Sequence, residues 1–302
     1  MTTAIAITLS LALAFAIKPG TAGIFDVSTA DYEAQEAPPV VETLVNIIPT
    51  NPLASMTAGD MLQVIAFAIF VGFALAFLKD QTKNVHRILE QTNDILMFLV
   101  NLVMKFAPYG AFALIASAIG GAGLDAIGSM GAYMGTVIFG LLFHSVVIYS
   151  LAIWFLGKAN PWTFYKGFFP AMTVAFSTSS SNATLPASMK AAQENLGVSK
   201  SVSSFVQPLG ATINMDGTAI MQATAAVFIA QVYAIDLGLV DILLILITAT
   251  LASIGTAGVP GVGLIMLAMV LTQVGLSGEG IALMLGVDRV IGLLLRTVSI
   301  TG

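Results

Sequence analysis

An all-α polytopic membrane protein is the fold class this sequence predicts, and three observations predict it. Of the 302 residues, 57% are hydrophobic and 9% charged, with a mean hydropathy of +0.95, where a soluble chain carries charge on roughly 25% of its residues. Apolar stretches of membrane length recur along the chain, and helices satisfy their own backbone hydrogen bonds in lipid. Two of those stretches are interrupted by runs of hydroxyl, glycine and proline residues, the pattern of re-entrant helical hairpins. So little polar surface could not solvate two water-facing domains, which excludes nucleic-acid binding, a secreted disulfide scaffold and a soluble enzyme. The absence of cysteine excludes thiolate nucleophiles and thiolate metal sites.

The first apolar stretch, Met1 to Ile17, lacks a basic leading region and a small-residue cleavage site, and Lys18 follows it; it reads as a membrane helix and not as a signal peptide. Gly20 to Glu42 holds Asp26, Asp31, Glu33, Glu36 and Glu42 and reads as an exposed acidic loop. Gly59 to Leu78 is 20 residues long, enough to cross a hydrocarbon core of about 30 Å. Ile88 to Ile119 contains a span entered through an amphipathic stretch, and Gly131 to Leu156 is 26 residues without a charge. Phe205 to Ile235, Ile242 to Val274, and Ile281 to Gly302 follow. Lys79, Lys83 and Arg87 form one basic region, and Lys158, Lys166, Lys190 and Lys200 another; both are cytoplasmic by the positive-inside rule. The alternate loops carry Asp125, Asp236, Asp241 and Glu279.

Hydrophobicity breaks twice inside membrane-length segments. Ser177, Thr178, Ser179, Ser180 and Ser181 are five consecutive hydroxyl residues followed by Asn182 and Pro186. Ser253-Ile254-Gly255-Thr256-Ala257-Gly258-Val259-Pro260-Gly261 interrupts the second segment. Such backbone survives at membrane depth only buried in protein or beside a wet cavity, where its freed N–H and C=O groups can bind ligands. Packing alone would need spaced small residues, not consecutive ones. Each broken segment precedes a polar-bearing helix: one with Asn214, Asp216 and Thr218, the other with Asp288, Arg289, Arg296 and Ser299. Broken hairpin plus polar helix, twice, is the pattern of an internal repeat, and an odd number of intervening crossings would make the copies inverted, the arrangement that places a site near the midplane.

A carboxylate at the bilayer centre costs about 3 kcal/mol or more unless compensated. A cation compensates Asp216 naturally, and a hard cation such as Na⁺ takes oxygen from Asn214, Asp216, Thr218 and broken-helix carbonyls. The alternative is a buried ion pair, for which Arg296 is the one evident intramembrane partner. His144, inside the uncharged span, reads as a packed, hydrogen-bonded histidine more than a proton relay, and His86 as a loop residue. Two histidines in such different settings argue against Ser–His catalysis, so the chain reads as a non-enzyme, and no HExxH, Walker A or GxGxxG motif stands at a suitable location, so no organic cofactor is expected.

Asn214-Met215-Asp216-Gly217-Thr218 in an apolar helix, with the serine-rich run before it and the Ser253 to Gly261 run after it, resembles the dicarboxylate/amino acid:cation symporter family. The resemblance extends from Thr2-Thr3 and Pro49-Thr50-Asn51-Pro52 through Ala107-Pro108-Tyr109-Gly110 to Thr301-Gly302. It implies an inverted-repeat elevator transporter core that carries a small anionic solute with sodium. It also implies residues 1–17 as a partial helix of that core, 18–125 as a partial scaffold with an extracellular acidic loop, and 126–302 as the rest of the core. Within the last, hairpin 1 spans about 161–195, a polar helix about 200–234, hairpin 2 about 240–275 and the final helix about 279–302. The implied localisation is the lipid bilayer of a plasma membrane, the inner membrane of a prokaryote.

The resemblance further implies sodium ligation by Asn214 and Asp216 with the hydroxyls of Thr2 and Thr3. A second sodium would take carbonyls of Gly210, Asn214 and the last helix, and a third those around Thr212, Ser253, Ile254 and Thr256. Substrate would meet Ser180, Ser181 and Thr218, the second tip near Val259 and Gly263, and the last helix with Arg296 and Ser299. There the sequence departs from the family: counting from Asp288, the expected acid at +4 is Gly292, the arginine at +7 is Leu295, and the Asn at +11 is Ser299. Arg296 sits at +8, about 100° further round the helix. Gly292 argues against an α-amino substrate. The family has further helices before Thr2 and more chain after Gly302, so the sequence resembles a fragment; a transport-incompetent fragment is the competing expectation, and the family's homotrimer is doubtful for it.

Overall fold

The computed structural model describes residues 2–21, 48–58, 61–104, 109, 125–255, 262–276 and 280–302. The acidic loop, the Ala107-Pro108 and Gly110 positions, Glu279, and the second tip with Thr256 and Val259 lie outside them. Every element among the described residues is helical. In order these are α1 (Thr2–Ile17), α2 (Pro52–Ala58), α3 (Met61–Leu78), α4 (Lys83–Met104), α5 (Asp125–Phe143), α6 (Tyr149–Phe155), α7 (Pro161–Thr178), α8 (Ser181–Glu194), α9 (Lys200–Ile213), α10 (Asp216–Val232), α11 (Leu239–Gly255), α12 (Val262–Gln273) and α13 (Ile281–Thr301). Two stretches among the described residues, the 20 residues Thr2–Thr21 and the 28 residues Gly128–Phe155, are long and apolar enough to cross a membrane.

The chain forms two compact units, residues 38–117 and residues 1–37 with 118–302. In the smaller unit α3 runs into α4 through the 3₁₀ turn Lys79–Thr82, where Lys79 has a left-handed backbone (φ 42°). His86 is not in a loop: it lies in the first turns of α4, with Nδ1 3.5 Å from Glu90 Oε1 one turn on. The amphipathic stretch read before the span is itself helical and carries the histidine into α4.

In the larger unit α10 is the axis, with every residue from Asp216 to Ala230 buried. A helix that is small or apolar all round is stable only inside other helices, and α1, α5, α11, α12 and α13 surround it. Gln231 fixes one end of this arrangement, accepting from the Gly20 N–H at 2.8 Å and donating to the Ala14 carbonyl at 3.3 Å. That single side chain closes the C-terminus of α1. Outward positions such as Phe139, Val146, Trp154 and Phe176 are exposed and apolar, a surface suited to lipid.

Hairpin 1 is α7, a two-residue tip and α8. Asn160 caps α7 by accepting from the Trp162 N–H, and Pro161 fills the first helical position, where a missing N–H is tolerated. At the tip Ser179 is left-handed (φ 51°), Ser180 is extended, and the Ser180 hydroxyl caps α8 by accepting from the Ala183 N–H at 3.2 Å. The hydroxyl run thus ends one helix and starts another: Ser177 and Thr178 turn back to the Val174 carbonyl, and Ser180 caps the next helix. The two arms pack through Phe168, Ala171, Ala175 and Ala191 onto Ala211 of α9 and Ile300 of α13. Both arms of the second segment, α11 and α12, pack against α10.

The helix predicted over 200–234 is not continuous. It ends at Ile213 and restarts at Asp216, with Asn214 and Met215 in non-helical conformations. Side chains replace the lost ladder: the Ser253 hydroxyl accepts from the Met215 N–H and the Ser299 hydroxyl from the Gly217 N–H, each at 3.1 Å. A buried helix break needs such partners.

Candidate functional site

The break between α9 and α10 gathers the polar side chains of the larger unit. The first turn of α1 brings Thr2 and Thr3 beside it. Thr2 Oγ1 donates to Asn214 Oδ1 at 2.9 Å; Thr3 Oγ1 lies 3.1 Å from that same oxygen and 2.6 Å from Asp216 Oδ1. Four side-chain oxygens with one formal charge therefore converge on a buried point. Asp216 is completely buried and stands in the first turn of α10, where the helix dipole favours a carboxylate. The last carbonyls of α9 end at the same place, the negative end of a helix, and Gly210 C=O accepts from the Asn214 N–H at 2.9 Å.

The other carboxylate oxygen is held separately. Asp216 Oδ2 lies 2.9 Å from the Tyr149 hydroxyl and 3.2 Å from His144 Nε2. The alternative to a cation in the sequence was an ion pair with Arg296; the groups that contact the carboxylate are Thr3, His144 and Tyr149. His144 is packed and hydrogen-bonded, with its ring edge-on to Tyr149 at 4.8 Å. Tyr149 was missed by sequence reasoning, because residues five apart in a regular helix lie on different faces.

The remaining predicted residues fall in two groups. Ser253 meets Met215 as described, and α11, which carries Ser253 and Ile254, packs against α9, which carries Gly210 and Thr212. At the first tip Ser181 is fully buried and its hydroxyl has no hydrogen-bond partner among the described residues, whereas Ser180 is engaged as the cap. Thr218 is fully buried, its hydroxyl 4.0 Å from Met215 Sδ. A Cβ at Gly263 would meet Thr218 Cγ2 at 3.2 Å, so α12 lies against α10 at this level. Gln222, not singled out in the sequence, donates from Nε2 to the Gly263 carbonyl at 3.1 Å and is fully buried.

On α13, Gly292, Arg296 and Ser299 recur at i, i+4 and i+7, one face of a helix. Among the described residues a Cβ at Gly292 would have nothing nearer than Ser179 Oγ at 4.0 Å, so that face looks onto the first tip. Arg296 is 2% exposed, with Nη1 3.4 Å from Met215 Sδ at the helix break. The guanidinium thus points inward from a continuous α13, without local rotation of the helix. The +7 residue, Leu295, turns its backbone to α10: a Cβ at Gly217 would collide with the Leu295 carbonyl.

Residues 1–302 match the sodium:dicarboxylate symporter family. The chain is 41% identical over 252 residues to excitatory amino acid transporter 1 of Mus musculus, covering 82% of this chain and 46% of that protein. It is 39% identical over 249 residues to an excitatory amino acid transporter of Caenorhabditis elegans, 82% of this chain and 50% of that one. The proton/sodium-glutamate symport protein of Bacillus subtilis (strain 168) is 35% identical over 308 residues, 99% of this chain and 71% of that protein. The chain spans about half the length of the animal transporters it matches.

Proposed function

The chain belongs to the sodium:dicarboxylate symporter family, and from that premise we propose that it moves an acidic organic solute, a C4-dicarboxylate or an acidic amino acid, across the plasma membrane by sodium-coupled symport. The observation that carries the proposal is the convergence of Thr2, Thr3, Asn214 and Asp216 on one buried point. Hydroxyl, amide and carboxylate oxygens are the ligands a hard cation prefers, and one carboxylate balances one positive charge. Sodium is the transported ion here. Carbonyls at Gly210 and Asn214, and at Thr212, Ser253, Ile254 and Thr256, supply two further sodium positions in this reading.

The solute binds between the first tip and α13. Ser181 offers a buried hydroxyl with no partner among the described residues, at the N-terminus of α8, where an anion is favoured. Arg296 supplies a guanidinium for a carboxylate, and Thr218, Ser299, Val259 and Gly263 complete the surround. The two hairpins with α10 and α13 move as one body, an elevator, with the second tip as the outer gate. Coupling follows if sodium and solute each raise the affinity of the other, a reciprocal free energy.

The test is uptake of labelled succinate and aspartate into liposomes containing this polypeptide, with and without an inward sodium gradient. Sodium-driven accumulation of either is expected. Insertion without sodium-dependent uptake or binding of any acidic solute removes the reading.

A further inference from the structure

Asp216 uses its two carboxylate oxygens differently. Oδ1 faces Thr3 and, through it, Asn214 and Thr2; Oδ2 faces Tyr149 and His144. The second pair comes from one short stretch whose backbone is not α-helical. Residues His144–Ile148 form a π turn between α5 and α6, closed by the Tyr149 N–H donating to the His144 carbonyl. In an α-helix, residues five apart point about 140° away from each other. The i→i+5 bond of the π turn stacks them instead, which is why both donors reach a single oxygen. The turn is anchored from outside as well, since the Tyr165 hydroxyl of α7 donates to the Ser145 carbonyl.

Tyr149 also looks the other way. Its hydroxyl lies 3.3 Å from the Val298 carbonyl of α13, and a Cβ at Gly302 would collide with it. One phenol thus stands between the carboxylate of the break and the end of the last helix, 3% exposed and enclosed on every side.

We infer that Tyr149, delivered with His144 by the π turn, is a positioning residue for sodium: it holds Asp216 Oδ2 so that Oδ1 stays in the cluster with Thr2, Thr3 and Asn214. This rests on reading Asp216 as a sodium ligand. The physical reason is that a carboxylate with one free oxygen can turn about its terminal bond, a broad torsion, and take Oδ1 out of the cluster. A charge-assisted hydrogen bond to Oδ2 opposes that turn. A π turn in the middle of a span is otherwise a defect in the helix ladder, and its presence here is accounted for by the two groups it aligns.

The experiment is sodium-dependent thermal unfolding of the purified full chain in lipid nanodiscs, choline replacing sodium at constant ionic strength. A ligand that binds the folded state raises its stability with ligand concentration, so the sodium concentration giving half the rise reports affinity. Tyr149→Phe keeps the ring and removes the hydroxyl; a half-effect concentration about tenfold higher is expected. His144→Gln, which keeps an N–H donor, is expected to stay nearer the parent than His144→Ala. A role limited to packing would lower the melting temperature at every sodium concentration and leave the half-effect concentration unchanged. That result, or a lowered half-effect concentration, overturns the inference. If the parent chain itself gains no stability from sodium, the reading of Asp216 fails along with it, and the two failures are told apart by the parent's own curve.

Discussion

Two interruptions of helix, each two residues long, are satisfied in opposite ways. At Asn214–Met215 the freed backbone and side-chain groups find partners within the protein: Met215 N–H on Ser253, Gly217 N–H on Ser299, Asn214 on Thr2, and Asp216 on Thr3, His144 and Tyr149. At Ser179–Ser180 the cap is made by Ser180, but the Ser181 hydroxyl beside it is buried with no partner among the described residues. Buried polar groups are normally paired; among the described residues Ser181 Oγ at the tip is an exception, and so is His144 Nδ1 behind the Asp216 carboxylate. Under the proposed function, the break would take something as small as an ion, because its oxygens already lie together. Under the same proposal, the Ser181 hydroxyl at the tip would serve the solute.

The harshest way to break this contrast is Asp216→Ala. It removes the one charge of the cluster and both of its oxygens, so sodium-induced stabilisation and sodium-dependent solute binding are expected to vanish together. Calorimetric titration of sodium and of succinate into the purified variant checks this. Undiminished sodium dependence would move the cation elsewhere and leave the carboxylate as a structural group.

Gly217→Ala comes next, acting on the break through its backbone. The colliding atom is the Leu295 carbonyl, a main-chain group with no rotamer to yield. Overpacking of this kind costs about 1–3 kcal/mol, so a lowered melting temperature with a weakened sodium response is expected. A melting temperature equal to the parent's would mean that α10 and α13 separate without cost at this crossing.

Ser181→Ala tests the tip alone. The expected result is a solute affinity about tenfold weaker, the worth of one hydrogen bond to a charged group, with the sodium half-effect concentration unchanged. Equal losses in both would erase the distinction between tip and break.

The contrast also separates what was legible in the chain from what was not. The serine run announced the first tip because consecutive hydroxyls cannot face lipid, and α7 and α8 meet there. The break at Asn214–Met215 was hidden: its residues looked like polar positions on one helix, and the hydroxyls that replace its ladder come from Ser253 and Ser299, remote in sequence. Tyr149 was hidden for a related reason. Its alignment with His144 depends on a π turn, and a periodicity of 3.6 places the two on different faces. Arg296 looked misplaced at +8, yet a helical register of i, i+4 and i+7 puts it on the face of Gly292 and Ser299.

That same register sets the smallest and most discriminating test, Gly292→Asp. An aspartate there has room, since among the described residues its Cβ would approach only the Ser179 hydroxyl. It has two possible partners: the ammonium of an α-amino solute at the first tip, or Arg296 one turn along α13, an i, i+4 pair. Both lower the affinity for succinate, the first by placing a like charge near it and the second by occupying the guanidinium. Only the first raises the affinity for aspartate. A gain of about five- to tenfold in the aspartate-to-succinate uptake ratio, carried by improved aspartate affinity, is expected, within the range of one charge-assisted hydrogen bond. A fall in succinate with no gain in aspartate would show the new carboxylate held by Arg296, and would place the guanidinium beside the tip by direct competition.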